Sequence, residues 1–380
     1  MPNSRILLDE LYRLTNRNIE KQMSVDNKIQ NSNIIQEKSQ NKAFTFIDLF
    51  AGIGGFHKGL AANGGECVFA SEWDPYAQET YRANYPNTPL YGDITKEETK
   101  AAIPDKFDVL CAGFPCQAFS NAGLKMGFED TRGTLFYEIA DILLKHTPKV
   151  AFLENVRGLI SHDKGKTITV ILYTITHTGY RCNISQNLID EAYQDIFSGK
   201  DYRNVKKVQE ECKKMVLRSR EFGVPQNRQR IYIVLWRNDI GVDYFNYPTP
   251  TFAPTRLGDI LEQTPDPKYT ITDRMWIGHQ NRKARNEAAG KGFGYSLFTP
   301  DSPYANTISA RYWKDGSEIL IAQPGKNPRT LTPREATRLQ GYDDNFILNK
   351  SEKQAYKQAG NSVSIPVIKA IAKEIVSQLL

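Results

Sequence analysis

"FTFIDLFAGIGGF", residues 44–56, contains a first strand and the turn that follows it. Its first half is a continuous apolar run interrupted by one acid, Asp48, which is typical of a parallel strand buried on both faces. Gly52, Gly54 and Gly55 follow at once, and glycine lets the backbone approach a ligand closely. The stretch therefore predicts a strand, a glycine-rich turn and a helix that together border a binding site.

Strands and helices continue to alternate beyond this turn. "ECVFASE", "FDVLCAG", "KVAFLENV", "YRCNISQNLI" and "RIYIVLWR" favour strands, and "PYAQETYRANY", "GTLFYEIADILLKH" and "KTITVILYTITHTGY" favour helices. This order predicts an α/β fold with a doubly wound, mostly parallel sheet covered by helices on both sides.

The remaining segments differ in composition from this core. Residues 1–43 are polar, and we expect a non-catalytic extension with one short amphipathic helix, an accessory DNA contact being the alternative. Residues 44–248 hold the alternating pattern, and residues 249–350 are rich in Pro and Gly and predict a smaller second domain. Residues 351–380 end in the apolar "SIPVIKAIAKEIVSQLL", which predicts a helix that returns to the first sheet.

Composition narrows the functional class. The chain has 380 residues, a formal net charge of +6 and a pI near 8.8, which is compatible with a polyanionic partner. No signal peptide and no apolar run near the ~20 residues of a membrane span are evident, so we expect a cytoplasmic protein with no membrane contact. The cysteines lack the pairing typical of disulfide or zinc frameworks, which predicts a reducing compartment and no metal; they are Cys67, Cys111, Cys116, Cys182 and Cys212.

Acidic residues end successive predicted strands. The glycine turn is an incomplete dinucleotide fingerprint because His57 stands where a glycine is needed, and an acid beside it suits an ammonium or sulfonium better than a pyrophosphate. Glu72 could accept hydrogen bonds from ribose hydroxyls, Asp93 could accept from an adenine amino group, and Trp73 and Ile94 could enclose the ring. The alternatives are a helix cap at Asp93 and surface positions for Glu72 and Trp73.

A second set of polar residues falls on the same sheet edge. In "GFPCQAFS", residues 113–120, Cys116 follows Pro115 beyond the fourth strand, which favours a nucleophile over the apolar filler expected at Cys111. "FLENV" places Glu154 and Asn155 at another strand end, and a carboxylate there is costly to bury unless it is used or paired. "FGVPQNRQRIYIV" adds Gln226, Arg228 and Arg230 just before a strand.

Together these blocks resemble the DNA (cytosine-5)-methyltransferases of bacterial restriction–modification systems. The resemblance covers residues 44–370 and includes, in the family's order, "DLFAGIGGF", "SEWD", "GDIT", "GFPCQAFSNAG", "RGTLFYEIADIL", "FLENVRGL", "FGVPQNRQRIYIV", "PRTLTPREATRLQGYDDNF" and "QAGNSVSIPVI". It implies a catalytic and cofactor-binding domain at 44–248 and a target-recognition domain at 249–350.

The resemblance also implies a reaction and its partners. A methyl group would pass from S-adenosyl-L-methionine, leaving S-adenosyl-L-homocysteine, to carbon 5 of a cytosine flipped out of a specific double-stranded DNA sequence. The enzyme would act as a monomer and protect host DNA from a cognate restriction endonuclease acting on the same site. The target sequence is not readable from the chain.

The resemblance also implies a role for each residue of this chain that matches a motif of the family. Cys116 would add to carbon 6 of the base as a thiolate favoured by nearby arginines. Glu154 would donate a proton to N3, its pKa raised by burial and the bound base, with Asn155 orienting it, Arg230 on O2 and Arg228 supporting the site. The base that removes the C5 proton is not identified, and water is one candidate. The implied cofactor residues are Phe50, Gly52, Ile53, Gly55, Glu72, Trp73, Asp93, Ile94, Leu135, Asn361, Ser362 and Val363.

DNA contacts are expected in two places. The stretch after Cys116 would close over the flipped base through hinges at Gly123, Gly127 and Gly133. There Ser120 would face DNA, and Lys125 and Arg132 would touch phosphate or remain solvated. The recognition region at 255–327 offers Arg311, Tyr312, Trp313 and Lys314, of which arginine can pair with guanine while others position phosphates.

One departure and several alternatives remain. Residues 193–220 form an extra Lys- and Arg-rich stretch, for which we expect a helix that decorates the surface, an additional DNA contact being the alternative. A tRNA cytosine-5 methyltransferase would carry a Cys-Phe-Thr signature, and an amino-directed DNA methyltransferase would carry a Pro-Pro-Tyr/Trp block; the chain has neither. A non-catalytic DNA-binding regulator should lack Cys116 or Glu154, and an NAD oxidoreductase fits only the first glycine loop.

Overall fold

A computed structural model describes residues 44–114, 134–199 and 202–380. Its main sheet has eight strands, of which five run parallel in the order β3-β2-β1-β4-β5 and are followed by β8 and β6, while β7 also pairs with β8. The last three strands pair antiparallel. The strands are β1 Thr45–Leu49, β2 Glu66–Ser71, β3 Leu90–Tyr91, β4 Val109–Gly113, β5 Val150–Val156, β6 Tyr180–Arg181, β7 Val216–Arg218 and β8 Gln229–Arg237. The strand order reverses between β1 and β4, where open α/β sheets bind their ligands.

Helices cover both faces of this sheet, as the α/β prediction requires. They are α1 Gly55–Ala61, α2 Pro75–Asn84, α3 Glu97–Ala101, α4 Thr134–His146, α5 Lys166–Thr176, α6 Gln186–Ser198 and α7 Arg203–Lys213. Alternate residues of β1 enter opposite cores: Ile47 and Leu49 pack with α4 and α5, and Phe46 packs with α1. The predicted fold class, a mostly parallel doubly wound sheet, is confirmed.

The region after α5 corrects two predictions. The strand predicted for "YRCNISQNLI" stops after Arg181, and α6 begins at Gln186 because Ile189, Ala192 and Ile196 repeat with helical spacing and are buried. The extra stretch is also more than surface decoration. Val205, Val208 and Cys212 of α7 are completely buried in the main core, since they lie on one face of the helix.

The C-terminal segment forms two helices where one was predicted. α10, Glu352–Asn361, and α11, Ile365–Leu379, are separated by Ser362 and Ser364, whose backbones are extended. Ile368 and Ile371 of α11 pack into the core shared with α1. Gly59 of α1 permits this contact, because a β-carbon there would lie 2.5 Å from Ile368.

A smaller unit forms around a core that is separate from the two cores of the main sheet. Besides α10, its elements are α8 Asp273–Ala288, β9 Leu297–Phe298, β10 Leu320–Gln323, β11 Lys326–Arg329 and α9 Pro333–Arg338. Tyr312, Leu331 and Ala336 are buried there together with Tyr356 and Ala359 of α10. The proline-rich region is therefore more regular than its composition suggests.

The described residues contain no helix that is long and apolar enough to cross a membrane. In the same ranges, no three His, Cys, Asp or Glu side chains are grouped as metal ligands.

Asp48 is an ionisable group inside the main sheet. It is fully buried, and neither carboxylate oxygen has a well-aligned hydrogen bond within the described part of the chain. Burial raises the pKa of Asp48 well above its ordinary value, and the backbone amide of His57 offsets only part of this effect. The side chain is therefore most stable in its protonated form.

We expect Asp48→Asn to gain stability relative to the wild type as pH rises. The folded state binds the Asp48 proton more tightly than the unfolded chain does. This proton therefore stabilises the wild-type fold fully below the pKa of Asp48 in the unfolded chain, and the stabilisation is lost as pH rises through the pKa of Asp48 in the folded protein. Urea denaturation from about pH 5 to about pH 8 measures the free energies of unfolding. A difference between the two proteins that stays constant over this range would contradict the assignment.

Ile371→Ala should lower the free energy of unfolding by about 2–5 kcal/mol, because it opens a cavity under the sheet. Lys373→Ala is the matched control, since this side chain is exposed on the same helix and should change stability by less than about 0.5 kcal/mol. Equal effects of the two substitutions in denaturant titrations would show that α11 does not pack as described.

Candidate active site

The glycine-rich turn after β1 is held in an unusual backbone conformation. Phe50 and Gly52 both have a φ of +56°, a region that bulky residues rarely adopt. A β-carbon added to Gly52 would meet no protein atom within 4 Å. The turn thus leaves space next to its own backbone, as expected where a ligand approaches closely.

Glu72 fixes this turn to the end of β2. Its two carboxylate oxygens accept hydrogen bonds from the backbone amides of Gly52 at 2.8 Å and Asp74 at 2.7 Å. Burial raises the pKa of Glu72, although these amides partly offset the effect. Each oxygen keeps a second lone pair that can accept a hydroxyl proton.

A cavity of about 1050 Å³ opens along the carboxyl ends of β1, β2, β4 and β5. All twelve predicted cofactor residues line it, namely Phe50, Gly52, Ile53, Gly55, Glu72, Trp73, Asp93, Ile94, Leu135, Asn361, Ser362 and Val363. Glu154, Asn155, Arg228 and Arg230 line the same cavity. The structure thus brings together every predicted cofactor and catalytic residue that it describes.

Two apolar side chains that line the cavity differ in their exposure to solvent. Trp73 is 73% exposed and Ile94 only 2%. Asp93 accepts a hydrogen bond from the backbone amide of Thr95 at 3.0 Å, which is a local turn contact and not the helix cap considered as the alternative, because α3 begins at Glu97 and its N-cap is Lys96. Because Asp93 also lines the cavity, this turn contact does not exclude a ligand contact.

Glu154 and Arg230 form an ion pair at the inner end. The antiparallel pairing of β5 with β8 sets Val156 opposite Arg230, two residues from Glu154. Glu154 Oε1 lies 3.1 Å from Arg230 Nε, but the alignment is not that of a hydrogen bond, and Oε1 is buried without another partner in the described ranges. A buried, incompletely satisfied carboxyl group favours a polar ligand at this point.

The side chain of Asn155, which was predicted to orient Glu154, forms its hydrogen bonds with backbone groups. Its amide nitrogen donates to the carbonyl of Phe114 at 2.9 Å, and its oxygen accepts from the amide of Val156 at 2.8 Å. These contacts use the side chain to tie β5 to the residue that follows β4. These contacts anchor the backbone at Phe114, and an orienting effect of Asn155 on Glu154 stays a prediction.

Arg228 is buried close to the Glu154–Arg230 pair. It is 2% exposed and donates to the carbonyls of Gly360 at 3.3 Å and Ser362 at 2.8 Å. Burial, with Arg230 nearby, lowers the pKa of Arg228 to about 9, so it stays protonated at neutral pH. Arg228 thereby joins the start of β8 to the 360–363 segment of the cavity wall.

The segment after α10 packs tightly on α1. The hydroxyls of Tyr342 and Ser362 are 2.9 Å apart. A β-carbon on Gly55 would lie 2.6 Å from Val363. Glycine at position 55 is thus needed for the two cavity walls to meet.

One contact at the cavity was not predicted. Lys357 of α10 forms an ion pair with Asp74 at 2.6 Å, and both residues line the cavity. The partners are separated by 283 residues, so no local sequence pattern could have indicated the pair.

The residues predicted to contact DNA differ in their exposure, and the exposed ones stay predictions. Arg311, Trp313 and Lys314 are exposed, and Lys353 lies over the Trp313 ring at 4.5 Å. Tyr312 is corrected to a core residue, because it is 1% exposed and its hydroxyl donates to Ile319 and accepts from Leu331. Outside the described residues lie the predicted positions Cys116, Ser120, Gly123, Lys125, Gly127, Arg132 and Gly133.

Known proteins resemble this chain in sequence and fold. The family model of C-5 cytosine-specific DNA methylases matches residues 44–377. Type II methyltransferase M.SsoII of Shigella sonnei is 51% identical over 347 residues, which are 90% of this chain and 82% of that protein. M.NlaX of Neisseria lactamica is 52% identical over 338 residues, or 88% and 97% of the two chains.

A solved DNMT2 mutant from Spodoptera frugiperda has a TM-score of 0.65 at 19% identity and covers 88% of this chain and 99% of its own. At this identity, the likeness supports the fold alone. The sequence matches confirm the predicted resemblance: the chain belongs to the C-5 cytosine-specific DNA methylases and is a DNA (cytosine-5)-methyltransferase of the bacterial restriction–modification type.

Proposed function

We propose that the chain transfers a methyl group from S-adenosylmethionine to carbon 5 of a cytosine turned out of double-stranded DNA, with Cys116 bonded to carbon 6 during the reaction. The observation that carries this proposal is the single cavity that the described cofactor and catalytic residues share. A methyl donor and an acceptor must meet in one site for direct transfer, and one continuous cavity meets that requirement.

The outer half of the cavity fits an adenosyl group. The buried Glu72 carboxylate is held by two backbone amides and would accept from the ribose hydroxyls. Trp73 and Ile94 would enclose the adenine ring, and Asp93 would accept from its amino group. When bound, S-adenosylmethionine supplies an electrophilic methyl group on its sulfonium.

The inner half fits a pyrimidine. N3 and O2 of cytosine are both bonded to C2 and lie on the same edge of the base, and the Glu154 oxygen and Arg230 nitrogen are 3.1 Å apart. Glu154 would therefore face N3 while Arg230 donates to O2. Both groups are mostly buried, so their contacts to the base are strengthened by exclusion of water.

Cys116 is the proposed nucleophile for chemical and positional reasons. The four other cysteines are buried, and burial raises the pKa of each thiol, which disfavours the reactive thiolate. Cys116 lies outside the described residues, but it follows Phe114 by two positions, and Asn155 anchors Phe114 beside Glu154. The anchored strand end supports delivery of the thiol to the inner cavity.

The reaction balances through the protein groups. The Cys116 sulfur bonds to C6 as Glu154 gives a proton to N3, which makes C5 nucleophilic. C5 would take the methyl group as the methyl–sulfonium bond breaks and S-adenosylhomocysteine is left; a base then removes the C5 proton, the C6–sulfur bond breaks to return the thiolate, and N3 returns its proton to Glu154. Turning the base out of the duplex costs a few kcal/mol, which contacts to the base and phosphates must offset. In a restriction–modification system, the methylated site is then protected from a cognate endonuclease.

Cys116→Ser should abolish methyl transfer while leaving S-adenosylmethionine binding unchanged, because serine is far less nucleophilic at neutral pH. Transfer of tritiated methyl groups to DNA measures the activity, and calorimetry measures the binding. Cys182→Ala should retain activity as the matched control. Methylation by Cys116→Ser at the wild-type rate would exclude the covalent mechanism.

Glu72→Ala should weaken S-adenosylmethionine binding about 10-fold or more, since it removes a charged acceptor and releases the Gly52 amide. Glu66→Ala, an exposed change on the same strand, should leave the dissociation constant unchanged. Equal affinities of the two variants in calorimetry would remove the ribose assignment.

A further inference from the structure

A short series of hydrogen bonds joins α10 to the strand end that carries Glu72 and Trp73. Lys357 of α10 donates to Asp74 Oδ2 at 2.6 Å. The backbone amide of Asp74 in turn donates to Glu72 Oε1 at 2.7 Å. A single residue, Asp74, therefore lies between Lys357 and the carboxyl group that we assign to the ribose.

Asp74 uses each of its side-chain oxygens in a different contact. Oδ1 accepts from the backbone amide of Tyr76 at 2.9 Å and caps the first turn of α2, while Oδ2 accepts from Lys357. Burial raises the pKa of Asp74, but the hydrogen bonds from Lys357 and Tyr76 more than offset this effect, and the pKa lies below its usual value. Asp74 is therefore ionised at neutral pH and attracts the Lys357 ammonium group.

Trp73 depends on these contacts for its position. Its side chain is 73% exposed, so packing of the ring itself does not fix it. The backbone is held on both sides instead. Gln78 donates to the carbonyl of Glu72 at 2.5 Å, and Asp74 is bound by Lys357. A ring that is open on its face and fixed at its base is suited to stacking on an adenine.

α10 contacts α2 at a second residue next to Lys357. Gln358 donates to the carbonyl of Tyr76 at 2.9 Å, and its side-chain oxygen accepts from the Thr80 hydroxyl at 3.1 Å. The preceding residue, Tyr356, is buried in the core of the smaller unit. α10 is thus held by the smaller unit on one side, and Lys357 and Gln358 fix the start of α2 on the other.

We propose that Lys357 is a positioning residue for the cofactor, which holds Trp73 and Glu72 in place through its ion pair with Asp74. This inference rests on the cofactor site of the proposed function. Lys357 and Asp74 line the cavity, and their side chains are 41% and 17% exposed, so water screens the pair less than it screens an ion pair on an open surface. Loss of the pair would loosen the adenosine site and leave the groups at the inner end of the cavity unchanged.

Lys357→Met, Asp74→Asn and the double variant of the full chain test this role. Methionine replaces the charge with an unbranched apolar side chain, and asparagine removes the charge while keeping a good helix cap. Calorimetry measures the Kd for S-adenosylmethionine. We expect each single substitution to raise this Kd about 3- to 10-fold, and the double variant to bind no more weakly than the single variants, because all three lack the same ion pair. Lys357→Arg keeps the charge and should bind within about 2-fold of the wild type.

Steady-state kinetics separate positioning from catalysis. In Lys357→Met, the KM for S-adenosylmethionine should rise about 3- to 10-fold, while kcat and the KM for DNA should stay within about 2-fold of the wild type. Lys58→Met is the matched control, because Lys58 forms an equally short ion pair with Asp343, at 2.6 Å. Among the described residues, neither of these partners lines the cavity. The control should leave the Kd unchanged, and its unfolding midpoint in urea should match that of Lys357→Met.

The outcomes separate this role from its alternatives. Weaker binding in Lys357→Met but not in Asp74→Asn would overturn the positioning role, since Lys357 would then act without Asp74. Additive losses in the double variant, or a fall in kcat with an unchanged Kd, would overturn it as well. A wild-type chain that binds no S-adenosylmethionine would refute the proposed function itself, whereas a binding wild type with unaltered variants would refute only the role of Lys357.

Discussion

The buried guanidinium of Arg228 connects the parts on which the site depends. It projects from the residues before β8 and donates to the carbonyls of Gly360 and Ser362, in a segment that lines the cavity. The neighbouring Arg230 faces Glu154. An arginine taken out of water is costly unless it is hydrogen-bonded, so these contacts hold one arrangement of the strand, the segment and the cavity between them.

Two buried carboxyl groups that line this cavity differ in their hydrogen bonding. Glu72 is buried but satisfied by backbone amides, an arrangement that keeps an acceptor in place for hydroxyl groups. Glu154 is equally buried but has an oxygen that lacks a well-aligned partner. The fold therefore gives the two buried carboxyl groups different surroundings: two backbone amides at Glu72 and the Arg230 guanidinium at Glu154.

Much of the fold and cavity followed from local sequence signals. Strand ends carrying Glu72, Asp93 and Glu154 meet because parallel strands share a carboxyl edge, and this rule needs no knowledge of distant contacts. The family resemblance supplied Asn361 to Val363, which no periodicity would have selected. The errors arose where the sequence pattern was ambiguous. The apolar residues after Arg181 are compatible with a strand as well as with a helix. An aromatic residue beside basic residues, such as Tyr312, is found both in cores and at DNA surfaces, so its neighbours in sequence do not distinguish the two.

Contacts between distant parts of the chain were beyond sequence reasoning. The Asp74–Lys357 pair and the Asn155 anchor on Phe114 both depend on how separate elements pack. Helix α10 belongs to both parts of the molecule. It contributes Tyr356 to the core of the smaller unit and Lys357 to the cavity wall.

Covalent capture of the base tests the central claim most directly. The full chain is incubated with S-adenosylmethionine and long duplex DNA in which 5-fluorocytosine replaces cytosine, because fluorine at C5 cannot leave as the proton does and the sulfur–C6 bond persists. Digestion and mass spectrometry then locate the modified peptide. The account predicts one methylated, fluorinated base attached to Cys116; the absence of an adduct, or its attachment to any other residue, would contradict it.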